Sequence, residues 1–352
     1  MKQVVICAGG TGGHVFPALE LCKQLTAAGY RSVLLTDLRG RRFCENTDVP
    51  YQVIPEVSSG LKSLARSIIN SLRISIVLTL SWKNSPPVAL VGFGGIITIL
   101  PLLIAKMLKI PVIVHEQNSI LGKANRLLAK LGCSVTSNFC IANTKQIATP
   151  VRQEVQNVAA SVYEPLRNGR FVITIVGGSQ GASIFTRIIP LAIEMLPMKT
   201  RKNLTIIQQA DYENIDRLSK MYEMLEVRSK VVNFIHDVAN VFVNSSLVIC
   251  RAGASTLNEL ATIGRPAILI PYPHAADNHQ MKNAEKMEDI GAAWVIEEKS
   301  LTPKMLATKI EDFIYSKDQI SLTAVNMLRS RHPQANTELM KYVINEINGG
   351  EK

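Results

Sequence analysis

The 352-residue chain contains no Cys-x-x-Cys pair, and its six cysteines, Cys7, Cys22, Cys44, Cys133, Cys140 and Cys250, stand apart in mostly apolar surroundings. This spacing excludes a disulfide framework and a thiolate zinc site and reads as reduced thiols in a cytosolic protein. Aromatic residues make up only 5%, and no platform of aromatics among basic residues or reading helix is present, so no nucleic acid partner is expected. The first residues lack the basic start and small-residue cleavage site of a secretory signal. An Asp-x-Asp motif is also missing, so no metal ligands are assigned and no cofactor is expected.

Acidic residues are scarce in only one half of the chain. Residues 1–160 hold 17 Lys and Arg against 7 Asp and Glu, whereas the remainder holds 22 against 21. With nucleic acid set aside, a basic first half points to an anionic membrane surface or an anionic lipid substrate. Charge is absent from Ser85 to Ala105, about the length of a bilayer span. Pro86, Pro87, Gly92, Gly94, Gly95 and Pro101 punctuate that stretch, which therefore reads as strand, glycine loop and helix. Just upstream, residues 61–83 mix Lys62, Arg66, Arg73 and Lys83 with Leu, Ile and Trp. Such a helix either packs its apolar face on a sheet or lays part of it on lipid headgroups, and the sequence leaves both open.

What the chain does have is a repeated grammar. VVIC at 4–7 runs into AGGTGGH and then a helix, with Pro17 in its first turn, Leu21, Leu25 and Ala28 at helical spacing and Gly29 suited to its C-terminal cap. Glycines at this density let backbone N–H groups approach an anionic ligand at a helix start. The spacing fits neither G-x-G-x-x-G nor the Walker loop. ITIVGGSQGASIFTRI at 173–188 echoes VVICAGGTGGHVFPAL at 4–19. Ten apolar runs alternate with helical stretches, starting at residues 4, 32, 51, 88, 111, 171, 203, 230, 247 and 266. They indicate parallel sheets covered on both faces. The expected fold is α/β, with two doubly wound Rossmann-like domains over 1–160 and 161–334 facing across a cleft lined by both glycine loops.

Five segments in series carry a resemblance: GGTGGHVFPAL (9–19), GFGG (92–95), VHEQNSILGKANRLLA (114–129), IVGGSQGA (175–182) and CRAGASTLNELATIGRPAILIPYPHAADNHQMKNA (250–284). They are similar, in order and over most of the chain, to the MurG family of peptidoglycan-synthesising transferases. These are UDP-N-acetylglucosamine:N-acetylmuramyl-(pentapeptide) pyrophosphoryl-undecaprenol N-acetylglucosamine transferases of the GT-B fold. The resemblance implies inverting transfer of GlcNAc from UDP-GlcNAc to the C4 hydroxyl of an undecaprenyl-linked muramyl peptide, at the cytoplasmic face of the cell membrane as a peripheral protein. It also implies that a C-terminal helix over 335–352 returns to the first domain. The alternatives are a UDP-GlcNAc epimerase of the same plan and a non-catalytic lipid-binding relative.

For the donor, the resemblance implies Ser179, Gln180 and Gly181 on the diphosphate, Ile235 on uracil, Glu259 on the ribose hydroxyls and Gln280 on the GlcNAc hydroxyls. Arg152, Asn118 and the first-loop residues Thr11, Gly12 and Gly13 complete the donor set. Gly10, His14, Gly94 and Gly95 are expected to receive the acceptor, with His14, His115 and Glu116 as catalytic candidates. Each of several residues also has a plainer reading. Glu259 closes a Thr-x-x-Glu capping box, Arg152 is a linker arginine, and His115 is a buried partner of Glu116. His14 either takes the hydroxyl proton or only stabilises charge. After GFGG the family has a tyrosine and a Ser-Gly-Pro turn, where this chain has Ile96-Ile97-Thr98-Ile99-Leu100-Pro101.

Overall fold

The computed structural model describes residues 1–55, 64–177 and 183–349. Ser179, Gln180 and Gly181 lie outside the described residues, as do Lys62 and most of the second glycine loop. The chain divides into two compact units, Met1–Gln153 with His332–Lys352, and Glu154–Arg331.

The first unit is built on a sheet of seven parallel strands: β1 (Gln3–Cys7), β2 (Arg31–Thr36), β3 (Tyr51–Val53), β4 (Ala89–Gly92), β5 (Val112–Glu116), β6 (Ser134–Ser137) and β7 (Lys145–Gln146). Their spatial order is β3-β2-β1-β4-β5-β6-β7. The second unit holds β8 (Phe171–Val176), β9 (Leu204–Gln209), β10 (Arg228–Val232), β11 (Leu247–Cys250), β12 (Ala267–Leu269) and β13 (Ala293–Val295), in the order β10-β9-β8-β11-β12-β13. Both sheets are doubly wound. Their order reverses between β1 and β4 in one and between β8 and β11 in the other, the places where such sheets hold ligands at the carboxyl ends of their strands. The loop at Gly9–Gly13 follows β1 and GFGG follows β4, so in the first unit both glycine loops open at the switch point.

The Ser85–Ala105 stretch forms β4 and the start of the helix Ile96–Met107. Among the described residues no helix is long and apolar enough to cross a membrane. In the helix Leu64–Asn84, Ile74, Leu78 and Trp82 recur every four residues and are buried in one core with Leu102 and Ile104. On the other side Ile69, Leu72, Ile76, Val77 and Leu80 are each more than half exposed. One apolar face is therefore packed and a second faces outward, beside the exposed Arg73 and Lys83.

The chain returns to the first unit with the helix Ala335–Ile347. Its Leu339 and Val343 join the core of Val4, Ile6 and Leu21, and its Asn336 Oδ1 accepts the Val151 N–H at 2.9 Å. Residues 154–160 belong to the second unit, where the Ala160 N–H donates to the Thr262 carbonyl at 2.8 Å. The fully buried Arg265 guanidinium extends that anchorage by donating to the carbonyls of Ser161 and Val162.

Candidate active site

The first helix of the chain, Gly12–Ala27, begins directly after Thr11, whose carbonyl accepts the His14 and Val15 N–H groups at 3.1 Å. This start holds His14 over the loop. His14 Nδ1 lies 3.1 Å from the Gly9 carbonyl oxygen. A carbonyl oxygen has no hydrogen to give, so the bond requires Nδ1–H as donor, and in the neutral ring Nε2 then carries the lone pair. Nε2 points to the GFGG loop: a Cβ built on Gly94 would lie 3.6 Å from it, and one on Gly95 would lie 3.9 Å from Nδ1. Gly94 has a φ of +89°, a conformation that side chains other than glycine's resist. His14 thus sits between the two loops and lines a cavity of about 270 Å³ with Gly10, Asp37 and Arg39, whose walls are otherwise mainly apolar and include Ile74 and Ile97.

Where the family carries its tyrosine and Ser-Gly-Pro turn, this chain runs straight into the helix Ile96–Met107. Thr98 Oγ1 donates to the Gly95 carbonyl at 2.8 Å and closes the helix start. Ile97 packs so closely on Gly9 that a Cβ there would meet its Cγ2 at 2.7 Å. This apolar contact joins the two loops of the first unit.

Three of the expected residues are engaged by other groups of the protein. The Gly10 N–H, expected on the acceptor, donates instead to Asp37 Oδ1 at 3.1 Å. The same oxygen takes the Gly40 N–H at 2.7 Å, and Arg39 Nη2 donates to Oδ2 at 3.2 Å. A buried carboxylate, which would repel a phosphate, thus holds this amide. His115 is fully buried, with Nδ1 2.9 Å from Thr136 Oγ1 and Nε2 2.7 Å from Thr149 Oγ1. Burial lowers its pKa to about 3, so the ring stays neutral, and its two nitrogens are engaged by threonines and not by Glu116. Glu116 is buried too. Its Oε1 accepts from the Asn118 N–H at 3.0 Å and Nδ2 at 2.8 Å, and its Oε2 accepts from the Gly122 N–H at 2.9 Å and Asn125 Nδ2 at 2.8 Å. Four donors make this carboxylate the organiser of the loop after β5.

The remaining first-unit residues surround the same loop. The Arg152 guanidinium lies 5.0 Å from the Phe16 ring centroid, and that ring occupies the space against Gly12, where a Cβ would meet it at 2.9 Å. Gly13 follows in the same first turn, and Asn118 is held beside Glu116.

In the second unit Glu259 is 6% exposed on the helix Ala254–Ile263. That helix starts after Gly253, which puts Thr256 inside the first turn and Glu259 in the second. The capping box is thereby excluded, because its glutamate must stand three residues after the cap. Gly264 ends the helix in the left-handed conformation. Gln280 opens the helix His279–Asp289 and accepts the Tyr272 N–H on Oε1 at 2.9 Å; its amide nitrogen is the end suited to donate to a hydroxyl. Ile235 is buried just before the helix Val238–Val243.

Residues that the sequence reading passed over also belong here. Asp37 stands at the carboxyl end of β2, where a polar residue in a parallel sheet is itself a signal. Asn125, two residues into the helix Lys123–Lys130, looks like an ordinary helical polar residue. Arg251 follows β11, donates to the Ile270 and Pro271 carbonyls and pairs with Glu298 at 2.6 Å. It ties the carboxyl ends of β11 and β12 together.

Two doubly wound Rossmann-like domains give the fold, and its likeness to known proteins defines the class, a glycosyltransferase of the GT-B type. The chain belongs to glycosyltransferase family 28: the model of that family's N-terminal domain matches residues 4–136 and that of its C-terminal domain residues 172–339. A relative from Agrobacterium fabrum is 38% identical over 94% of this chain and 91% of its own length. One from Rickettsia canadensis is 34% identical over 99% of this chain and 100% of its own. Both are named UDP-N-acetylglucosamine--N-acetylmuramyl-(pentapeptide) pyrophosphoryl-undecaprenol N-acetylglucosamine transferase. The crystal structure of Acinetobacter baumannii MurG matches with a TM-score of 0.79 at 28% identity, covering 98% of this chain and all of that one.

Proposed function

We propose that the chain transfers GlcNAc from UDP-GlcNAc to an undecaprenyl-pyrophosphoryl muramyl peptide, the reaction for which its relatives are named, and that the C4 hydroxyl of the muramyl sugar receives it. The acceptor oxygen attacks the anomeric carbon from the face opposite UDP. The new C–O bond forms as the bond to the diphosphate breaks, UDP departs with the electron pair, and the configuration inverts to a β1,4 linkage.

The observation that carries this reading is the orientation of His14. Its Nδ1–H is fixed on the Gly9 carbonyl, which leaves Nε2 as the nitrogen able to take the hydroxyl proton. Gly94, Gly95 and the start of the Ile96–Met107 helix receive the acceptor diphosphate through amides and helix dipole. Gly10 is left out because its amide serves Asp37, and His115 and Glu116 act by holding the loop that presents Asn118.

In the second domain Glu259 offers a carboxylate to the vicinal ribose hydroxyls and Gln280 its amide to the sugar. The Ile235 backbone meets uracil, and Ser179, Gln180 and Gly181 meet the diphosphate, whose growing charge on departure is offset by amides and helix dipole. Arg152, Thr11, Gly12 and Gly13 approach the donor from the first domain. The exposed apolar face of the helix Leu64–Asn84, with Arg73 and Lys83 beside it, rests on the anionic cytoplasmic surface of the membrane, where the lipid acceptor is delivered. Transfer of labelled GlcNAc from UDP-GlcNAc to the lipid-linked muramyl peptide is the test.

A further inference from the structure

Asn125 is 2% exposed. Its amide orientation is fixed by chemistry, because the group 2.8 Å from Glu116 Oε2 must be the donor Nδ2. Oδ1 therefore faces away from the carboxylate, and among the described residues it has no hydrogen-bond partner. A buried acceptor without a donor is uncommon and calls for a reason.

The reason lies across Gly94. A Cβ built on that glycine would stand 3.5 Å from Asn125 Nδ2, 3.6 Å from Asn125 Oδ1 and 3.6 Å from His14 Nε2. One small space, kept open by the missing side chain, thus borders both the unsatisfied amide oxygen and the nitrogen that is to take a proton. Before transfer Nε2 bears only a lone pair, and an acceptor beside it gains nothing. After transfer Nε2 bears a hydrogen and the ring a positive charge, and an amide oxygen across that space becomes its complement.

We infer that Asn125 is a positioning residue for His14: its Oδ1 accepts, directly or through one water, the Nε2–H formed when His14 takes the acceptor's proton. The proton passes from the sugar oxygen to Nε2, and Asn125 gains and loses none. Glu116 keeps the amide in this orientation from the far side, so the buried carboxylate acts on His14 through Asn125. Among the described residues, the charged groups that line the same cavity as the ring are Asp37 and Arg39, which pair at 3.2 Å; Arg152 is stacked on Phe16, in the same helix as His14. The helix Ile96–Met107 brings no charge near its start.

This inference rests on His14 as the base, and the test separates the two. The His14 ring is titrated by NMR in the full-length protein, its signal assigned with His14→Ala, and compared between wild type and Asn125→Ala. The ring's pH midpoint is expected to fall by about half a pH unit or more in Asn125→Ala. The acid limb of kcat/KM should move down with it and kcat fall about tenfold or more, with KM close to wild type. Asn125→Ser serves if the alanine variant does not fold, since a hydroxyl can give its proton to Glu116 and still present an oxygen. It should show a smaller shift in the same direction. An unmoved midpoint in a folded variant overturns the coupling. A midpoint that falls while the acid limb stays in place supports the coupling and instead removes His14 as the base.

Discussion

His14 Nδ1 is fixed on the carbonyl oxygen of Gly9 at 3.1 Å, and this bond decides which nitrogen of the neutral ring carries the lone pair. His14→Ala should lower kcat by about 10²- to 10⁴-fold, the range expected for a lost general base, with the donor Kd within a few-fold of wild type. His14→Gln can keep the bond to Gly9 through its amide nitrogen but offers no basic nitrogen, and is expected to be as slow. Steady-state kinetics on the two variants separate proton transfer from loop support.

Glu259 lies in the second turn of its helix and is 6% exposed, so it is not present to cap that helix. Glu259→Ala is expected to weaken UDP-GlcNAc binding by roughly 10- to 100-fold, the worth of one or two charge-assisted hydrogen bonds. Calorimetry on a variant whose thermal unfolding matches wild type checks it. An unchanged Kd removes the ribose contact from the site.

His115 makes stability depend on pH. Its pKa is about 3 in the folded chain and near the ordinary ~6.5 when unfolded. Below ~6.5 the unfolded state takes up a proton that the folded state refuses, so the stability gained above that pH is lost as pH falls toward 3. Between pH 7.5 and 5.5 the wild type should lose about 1.4 kcal/mol more than a folded His115→Gln variant. Denaturant unfolding at the two pH values measures it, and equal losses contradict the buried neutral ring.

The helix Leu64–Asn84 predicts two classes of variant. Replacing Leu72, Ile76 and Leu80 with serine should abolish sedimentation with phosphatidylglycerol vesicles while leaving unfolding unchanged, because these side chains face outward. Ile74→Ala or Leu78→Ala removes buried side chains of the core shared with Leu102 and should cost about 2–5 kcal/mol of stability. Vesicle binding unaffected by the triple change would remove the membrane face from this helix.

The ten apolar runs read in the sequence are all strands; the central ones are almost wholly apolar because both their faces are buried, whereas the edge strands β3 and β10 are largely exposed or half-buried. β6, β7 and β13 were not legible. SVTS and KQ are short and polar, and AWV is three residues long; all are set by pairing with a neighbour. The glycine loops were visible because backbone geometry demands glycine whatever lies nearby. Side-chain partnerships were not. Nothing in HEQNSILGKAN says that Glu116 gathers four donors or that His115 turns inward to two threonines, since those partners are fixed by register and packing. For the same reason Thr-x-x-Glu is misleading at Glu259, where the helix starts three residues earlier than the motif suggests.

The most direct measurement incubates the purified protein with labelled UDP-GlcNAc, with and without undecaprenyl-pyrophosphoryl muramyl peptide. The account predicts label in the lipid product as a β1,4-linked GlcNAc, release of one UDP per transfer, and no new UDP-sugar when the lipid is omitted. Conversion of UDP-GlcNAc to another UDP-sugar without acceptor, or binding of the donor with no transfer to the lipid, would contradict it.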